Sequence, residues 1–146
     1  MKNTLLIVSL LLLICSGGCN SDVTELKTAK LMKSWQLVSM TKNGLPVSLT
    51  DCQKGELISF AEQSVCYLFF PCDSTDIKSG WSYDNQADIL NISNFLPITY
   101  YVLLLDDENV SMSYYEYNSV GELDKYIMKY KSAQTTLQDG KLRLAQ

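Results

Sequence analysis

From Trp35 onward the chain alternates apolar and polar side chains in short runs separated by turn residues, the period-two pattern of half-buried β-strands. WQLVSMTK (35–42) runs into Asn43-Gly44, a dipeptide suited to a type I′ hairpin turn. ELISFA (56–61) and SVCYLFF (64–70) flank a turn near Glu62-Gln63, and IKSGWSYD (77–84) and DILNIS (88–93) flank Asp84-Asn85-Gln86. ITYYVLLLD (98–106) and NVSMSYYEY (109–117) flank an acidic tip, and GELDKYIMKYK (121–131) closes the series. About eight strands spaced roughly ten residues apart, with no helical interlude, predict an all-β antiparallel meander, either a barrel or a sandwich. Ahead of them, LKTAKLMKS (26–34) places Leu26, Ala29, Leu31 and Met32 on one stripe of a short helix, with Thr24 as N-cap. The last stretch, SAQTTLQDGKLRLAQ (132–146), has weak periodicity and reads as a tail, with a short helix or an extra strand as alternatives.

The same alternation assigns inward faces. Pairing 98–105 with 110–117 across the DDEN tip collects Tyr101, Leu103, Leu105, Val110, Met112 and Tyr114 on one face. Tyr100, Val102, Leu104, Ser111, Ser113 and Tyr115 fall on the other. The first face is apolar on both strands and is expected to be interior. A three-residue turn at Asn118–Val120, with Gly121 at positive φ, puts Tyr126, Met128 and Tyr130 inside as well, whereas a four-residue turn reverses that choice. Trp81, Tyr83, Leu90 and Ile92 join the interior set. A tyrosine pointing inward brings a hydroxyl that needs a partner. A pocket of Trp81, Tyr101, Leu103, Met112, Tyr114 and Tyr126 would therefore suit a small, largely apolar ligand with a few polar groups. The competing reading is that these rings fill a small barrel.

The N-terminus follows another pattern. After Lys2, the apolar stretch from Leu5 to Cys15 is 11 residues long, too short for a spanning helix of roughly 20 residues but suited to a secretory signal. Removing residues 1–18 from the 146-residue chain leaves 128, enough for one domain with its own core. The removed segment carries one lysine and no acid, taking the formal net charge from −4 to −5. That balance argues against a nucleic-acid partner. With no histidine in the chain, Ser-His-Asp and Cys-His nucleophile pairs are excluded, as is the commonest zinc ligand.

Beyond Cys19 the mature chain has Cys52, Cys66 and Cys72. Continuing the ladder of the 56–61/64–70 hairpin brings Cys52 beside Cys72 at its open end, which predicts a disulfide. Cys66 falls inside the second strand and reads as a buried, inert thiol, with a nucleophile as the sharper alternative. Asp106-Asp107-Glu108 could contribute to a calcium site, but three acids at a hairpin tip read first as solvated charge. No metal or cofactor is expected.

Two resemblances add to this reading. Ser16-Gly17-Gly18-Cys19 after the apolar run resembles a bacterial lipoprotein signal, with Ser16 where that family usually has Leu. The resemblance implies cleavage before Cys19 and a lipid anchor on its sulfur, palmitate among its acyl chains. Plain secretion is the alternative. The second rests on Trp35-x-Leu37, Asp51-Cys52-Gln53-Lys54, Phe60, Cys72-Asp73, Gly80-Trp81-x-Tyr83, Leu90-x-Ile92 and Tyr100-x-Val102-x-x-Leu105. These residues are similar to the lipocalin-like domain of Bacteroidota-type lipoproteins, in which Gly usually stands where this chain has Ser34. That likeness implies a small up-and-down barrel of about eight strands with room for side chains or one small ligand.

The resulting division is a signal peptide over 1–18, a lipidated tether and the start of the helix over 19–30, the barrel over 31–131 and the tail over 132–146. The expected function is that of a non-enzymatic lipoprotein of the cell envelope, outer membrane favoured, binding a small, largely apolar ligand. The alternative is an interaction or scaffold module docking to another envelope protein. Its partners would be the membrane, through the anchor, and such a ligand or protein.

Overall fold

The computed structural model of the chain describes residues 27–93 and 97–145. The expected signal segment, Cys19, Thr24 and Leu26 lie outside the described residues. The strands are β1 (Ser34–Lys42), β2 (Leu45–Val47), β3 (Leu57–Ala61), β4 (Val65–Phe70), β5 (Thr75–Asp84) and β6 (Ile89–Ser93). They continue as β7 (Ile98–Leu105), β8 (Asn109–Tyr117), β9 (Leu123–Ala133), β10 (Thr135–Gln138) and β11 (Lys141–Leu144). β1 and β3 to β9 are hydrogen-bonded in chain order, and β1 pairs with β9, closing an antiparallel barrel of eight strands. The up-and-down order is the architecture of lipocalins, and closure leaves no long unpaired edge. The short β2 folds back on the far end of β1 through Asn43 and Gly44, both at positive φ.

One end of the barrel is plugged. A short helix over 27–31 lies across it, with Leu31 and Trp35 completely buried and the Trp35 indole N–H donating to the Leu31 carbonyl at 3.0 Å. Lys27 pairs with Asp88 at 2.7 Å and Lys33 donates to the Asp107 carbonyl at 2.9 Å, fastening the helix to the β5–β6 and β7–β8 turns. The helix ends at Leu31, three residues before the end of its sequence pattern. Leu31 carries its apolar face, while Ala29 and Met32 are exposed.

Two other features differ from the pattern. The turn between β8 and β9 spans 118–122, two residues more than expected, because Tyr117 pairs with Leu123. A shift of two leaves side-chain parity unchanged, so Met128 and Tyr130 still point inward. The stretch after β9 is a hairpin, with Asp139 and Gly140 both at positive φ in its turn. It packs outside the barrel, where Leu142 is buried and Arg143 forms a two-pronged ion pair with Asp76 at 2.9 and 3.1 Å.

Candidate functional site

The end opposite the helix is open to a cavity of about 710 Å³, within the range of small-molecule pockets. Leu37 and Met40 of β1, Ile58 of β3, Leu68 and Phe70 of β4 and Ile92 of β6 form much of its wall. Ile98 and Tyr100 of β7, Tyr114 of β8 and Met128 of β9 complete it. Below this chamber the barrel is solid. Trp81 packs edge-on against Phe60 with centroids 5.2 Å apart, and its indole N–H donates to the Ala61 carbonyl at 3.1 Å. Filled at one end and hollow at the other, the barrel combines both readings of its aromatic residues.

The polar side chains of the chamber are Gln53, Glu56, Thr99, Glu116 and four tyrosines. Glu56 stands one residue before β3 and shares its parity with Ile58 and Phe60, so its side chain enters the lumen. The fully buried Tyr130 hydroxyl donates to Glu56 Oε1 at a long 3.3 Å and lies equally far from the Met128 sulfur. Burial pushes the Glu56 carboxyl up to about 6, against the smaller opposing effect of the Tyr130 hydrogen bond. Burial also raises Tyr114 to about 12, and Tyr100 and Tyr130 higher, so these phenols keep their protons. Tyr100 meets Tyr114 edge-on at 5.7 Å, and Tyr114 stacks on Tyr126 at 5.0 Å.

The mouth is held by the disulfide between Cys52 and Cys72. It joins the turn Gln53–Gly55, which leads into Glu56, to the β4–β5 loop. Gly55 lies flat on Pro71, where a Cβ would come within 3.0 Å of the proline ring. The segment that positions Glu56 is thus clamped by a covalent bond and by close packing. Cys66 is completely buried and unbridged, and burial pushes its thiol up to about 11, the opposite of an activated nucleophile. At the acidic tip, Asp106 accepts the N–H groups of Glu108 and Asn109 at 2.8 and 2.7 Å, which caps its own turn.

Of the six ligand candidates, Tyr114 lines the chamber and Tyr101 its rim. Tyr126 stands behind Tyr114, while Trp81 and Met112 belong to the packed floor. Leu103 is 52% exposed and faces outward, and the expected assignment of β7 is inverted along most of its length. Tyr100 and Val102 are buried, whereas Tyr101 and Leu103 are not. The cause is a register shift between Val102, opposite Met112, and Leu104, opposite Ser111. One extra residue in a strand exchanges its faces beyond that point. Glu56 is the site residue missed by the sequence reading, although its alternation with Ile58 and Phe60 was visible.

No protein-family model matches the chain, and no curated protein matches it. Among solved structures it is similar to bovine odorant-binding protein complexed with its natural ligand, at 7% identity and a TM-score of 0.47, covering 85% of this chain and 80% of that one. The complex of bovine odorant-binding protein with undecanal gives 8% identity, a TM-score of 0.47 and the same coverages of 85% and 80%. Aphrodisin, a sex pheromone from female hamster, is similar at 6% identity and a TM-score of 0.42, covering 75% of this chain and 78% of that one.

Proposed function

We propose that this chain is a non-enzymatic carrier of the cell envelope, anchored by lipid on Cys19, whose barrel takes up one small, largely apolar molecule at its open end. The observation that carries the reading is the chamber of about 710 Å³, walled by aliphatic and tyrosine side chains above a solid floor. Desolvating a linear hydrocarbon there gains ~0.8 kcal/mol per methylene, enough for micromolar binding by a medium chain after association costs. The anchor rests on the signal-like segment ahead of Cys19, and two or three acyl chains on one sulfur-bearing residue would hold the protein firmly. The outer membrane is the favoured location.

Native mass spectrometry of the mature protein with decanol tests the carrier reading. A one-to-one complex is expected, and its occupancy should fall by about tenfold in Met40→Trp, which fills the chamber, with the circular-dichroism spectrum unchanged. Absence of any complex with the folded protein would refute it. The second reading, a docking module, is favoured by the outer wall, where Tyr101, Leu103, Leu104, Tyr115 and Tyr117 are all exposed. Leu104→Asp would then abolish co-purification with an envelope partner while leaving decanol uptake intact.

A further inference from the structure

We infer that the chamber selects cationic amphiphiles, with a ligand ammonium docked at Glu56 and its hydrocarbon part lying along Tyr100, Ile98, Phe70 and Met128. The inference rests on the carrier reading and adds to it the sign and placement of the ligand's polar group.

Charge is the first argument. Among the described residues, Glu56 and Glu116 are the charged residues that line the chamber, and no lysine or arginine does. Among the described residues, Lys42 lies over the outer ring of the tyrosine stack, 5.7 Å from the Tyr126 centroid, and is already paired with Asp124 at 2.7 Å. An anionic amphiphile would therefore enter against two carboxylates with no counterion. A neutral one gains a hydrogen bond, and a cationic one gains an ion pair.

Placement is the second. Glu56 sits inside the wall rather than at the rim, and among the described residues the one side-chain partner of its carboxyl is Tyr130, 3.3 Å away at Oε1. That contact is longer than a good O–H···O bond, leaving most of the acceptor capacity of the carboxylate unused. A partly buried carboxylate with one weak donor is costly, and a ligand N–H⁺ supplies the opposite charge and the hydrogen bonds it lacks.

The rings are the third. Tyr100 and Tyr114 meet edge-to-face at 5.7 Å on strands that also wall the chamber, so a ligand ammonium at Glu56 has tyrosine π-faces and phenol hydroxyls within its surroundings. Aromatic faces attract ammonium groups most when the site is desolvated.

Isothermal titration of decylamine, decanol and decanoate, each below its micelle-forming concentration, tests the inference. The titrations are run at about pH 8, where an alkylammonium is protonated and Glu56 is ionised. Decylamine is expected to bind about tenfold or more tightly than decanol, with decanoate weakest. The gap between amine and alcohol should close in Glu56→Gln and persist in Glu62→Gln, which removes an exposed acid at the plugged end. Equal binding of decylamine and decanol to the native sequence would overturn the inference while leaving the carrier reading intact. A gap that survives in folded Glu56→Gln would do the same. Failure of all three molecules to bind would instead remove the carrier reading beneath it. The order of the three ligands is measured on the unmodified protein, so the inference stays testable even if Glu56→Gln does not fold.

Discussion

Leu103 has no cross-strand partner, and that one residue sets which side chains of β7 see the lumen. On its C-terminal side, Leu105 packs inward opposite Val110, and on its N-terminal side Val102 and Tyr100 do so opposite β8. Leu103 and Leu104 stand outside together, each about half exposed. Two leucine-or-valine positions separated by one peptide bond therefore differ sharply in energetic weight. Leu103→Ser is expected to change stability by less than about 0.5 kcal/mol, as exposed substitutions do. Val102→Ala should cost about 2 kcal/mol, through two lost methyl groups and the cavity left behind. Urea unfolding of the two variants measures both, and a larger loss at Leu103 would mean that the bulge is misplaced.

At the scale of elements, the strands were legible because alternation survives wherever one face is buried. Trp81 with Tyr83 and Leu90 with Ile92 fall as that period requires. What period alone does not carry is a change of phase. Nothing in TYYVLLL marks where the extra residue sits, since leucine is acceptable on either face of a bulged strand. The C-terminal hairpin is less legible in the sequence for a different reason. Its Asp139-Gly140 turn signal is plain, but TTLQ and KLRL are short and bury chiefly Leu142, which gives a weak periodic signature. The open end shows most clearly how elements make the site. Cys52 and Cys72, 20 residues apart, tie the Gln53–Gly55 turn to the β4–β5 loop and so fix Glu56. On the chain-entropy account, a loop of that size contributes about 3 kcal/mol. Cys52→Ser, Cys72→Ser and the double variant should each lose a similar amount in chemical denaturation, because the bond is absent in all three. Unequal losses would assign one of the sulfurs a separate packing role.

For the molecule as a whole, two classes of carboxylate pull stability in opposite directions with pH. Arg143 beside Asp76 and Lys27 beside Asp88 hold those carboxyls below their ordinary range, and Lys42 does the same for Asp124. Backbone N–H groups of Glu108 and Asn109 lower Asp106. Such groups stabilise the fold above the unfolded carboxylate range, near 3.8, and lose that contribution as pH falls through their depressed native values. Glu56 behaves oppositely. Its native form holds a proton up to about pH 6, whereas the unfolded chain releases it near 4.5, so stability falls as pH rises between those values and is level above them. The difference corresponds to a penalty of about 2 kcal/mol on the ionised native state. The melting temperature should therefore peak at about pH 4 to 4.5, between the two windows, rather than at neutrality. In Glu56→Gln the decline from about pH 4.5 to 6 should vanish while the loss in acid remains, because the ion pairs and turn cap of the aspartates are untouched. Scanning calorimetry of both proteins across that range separates the two effects. A decline that persists in Glu56→Gln would place the responsible proton on another group. If it vanishes, the acid that unsettles the empty barrel is the one in the chamber, and a ligand that neutralises it should flatten the native profile as the substitution does.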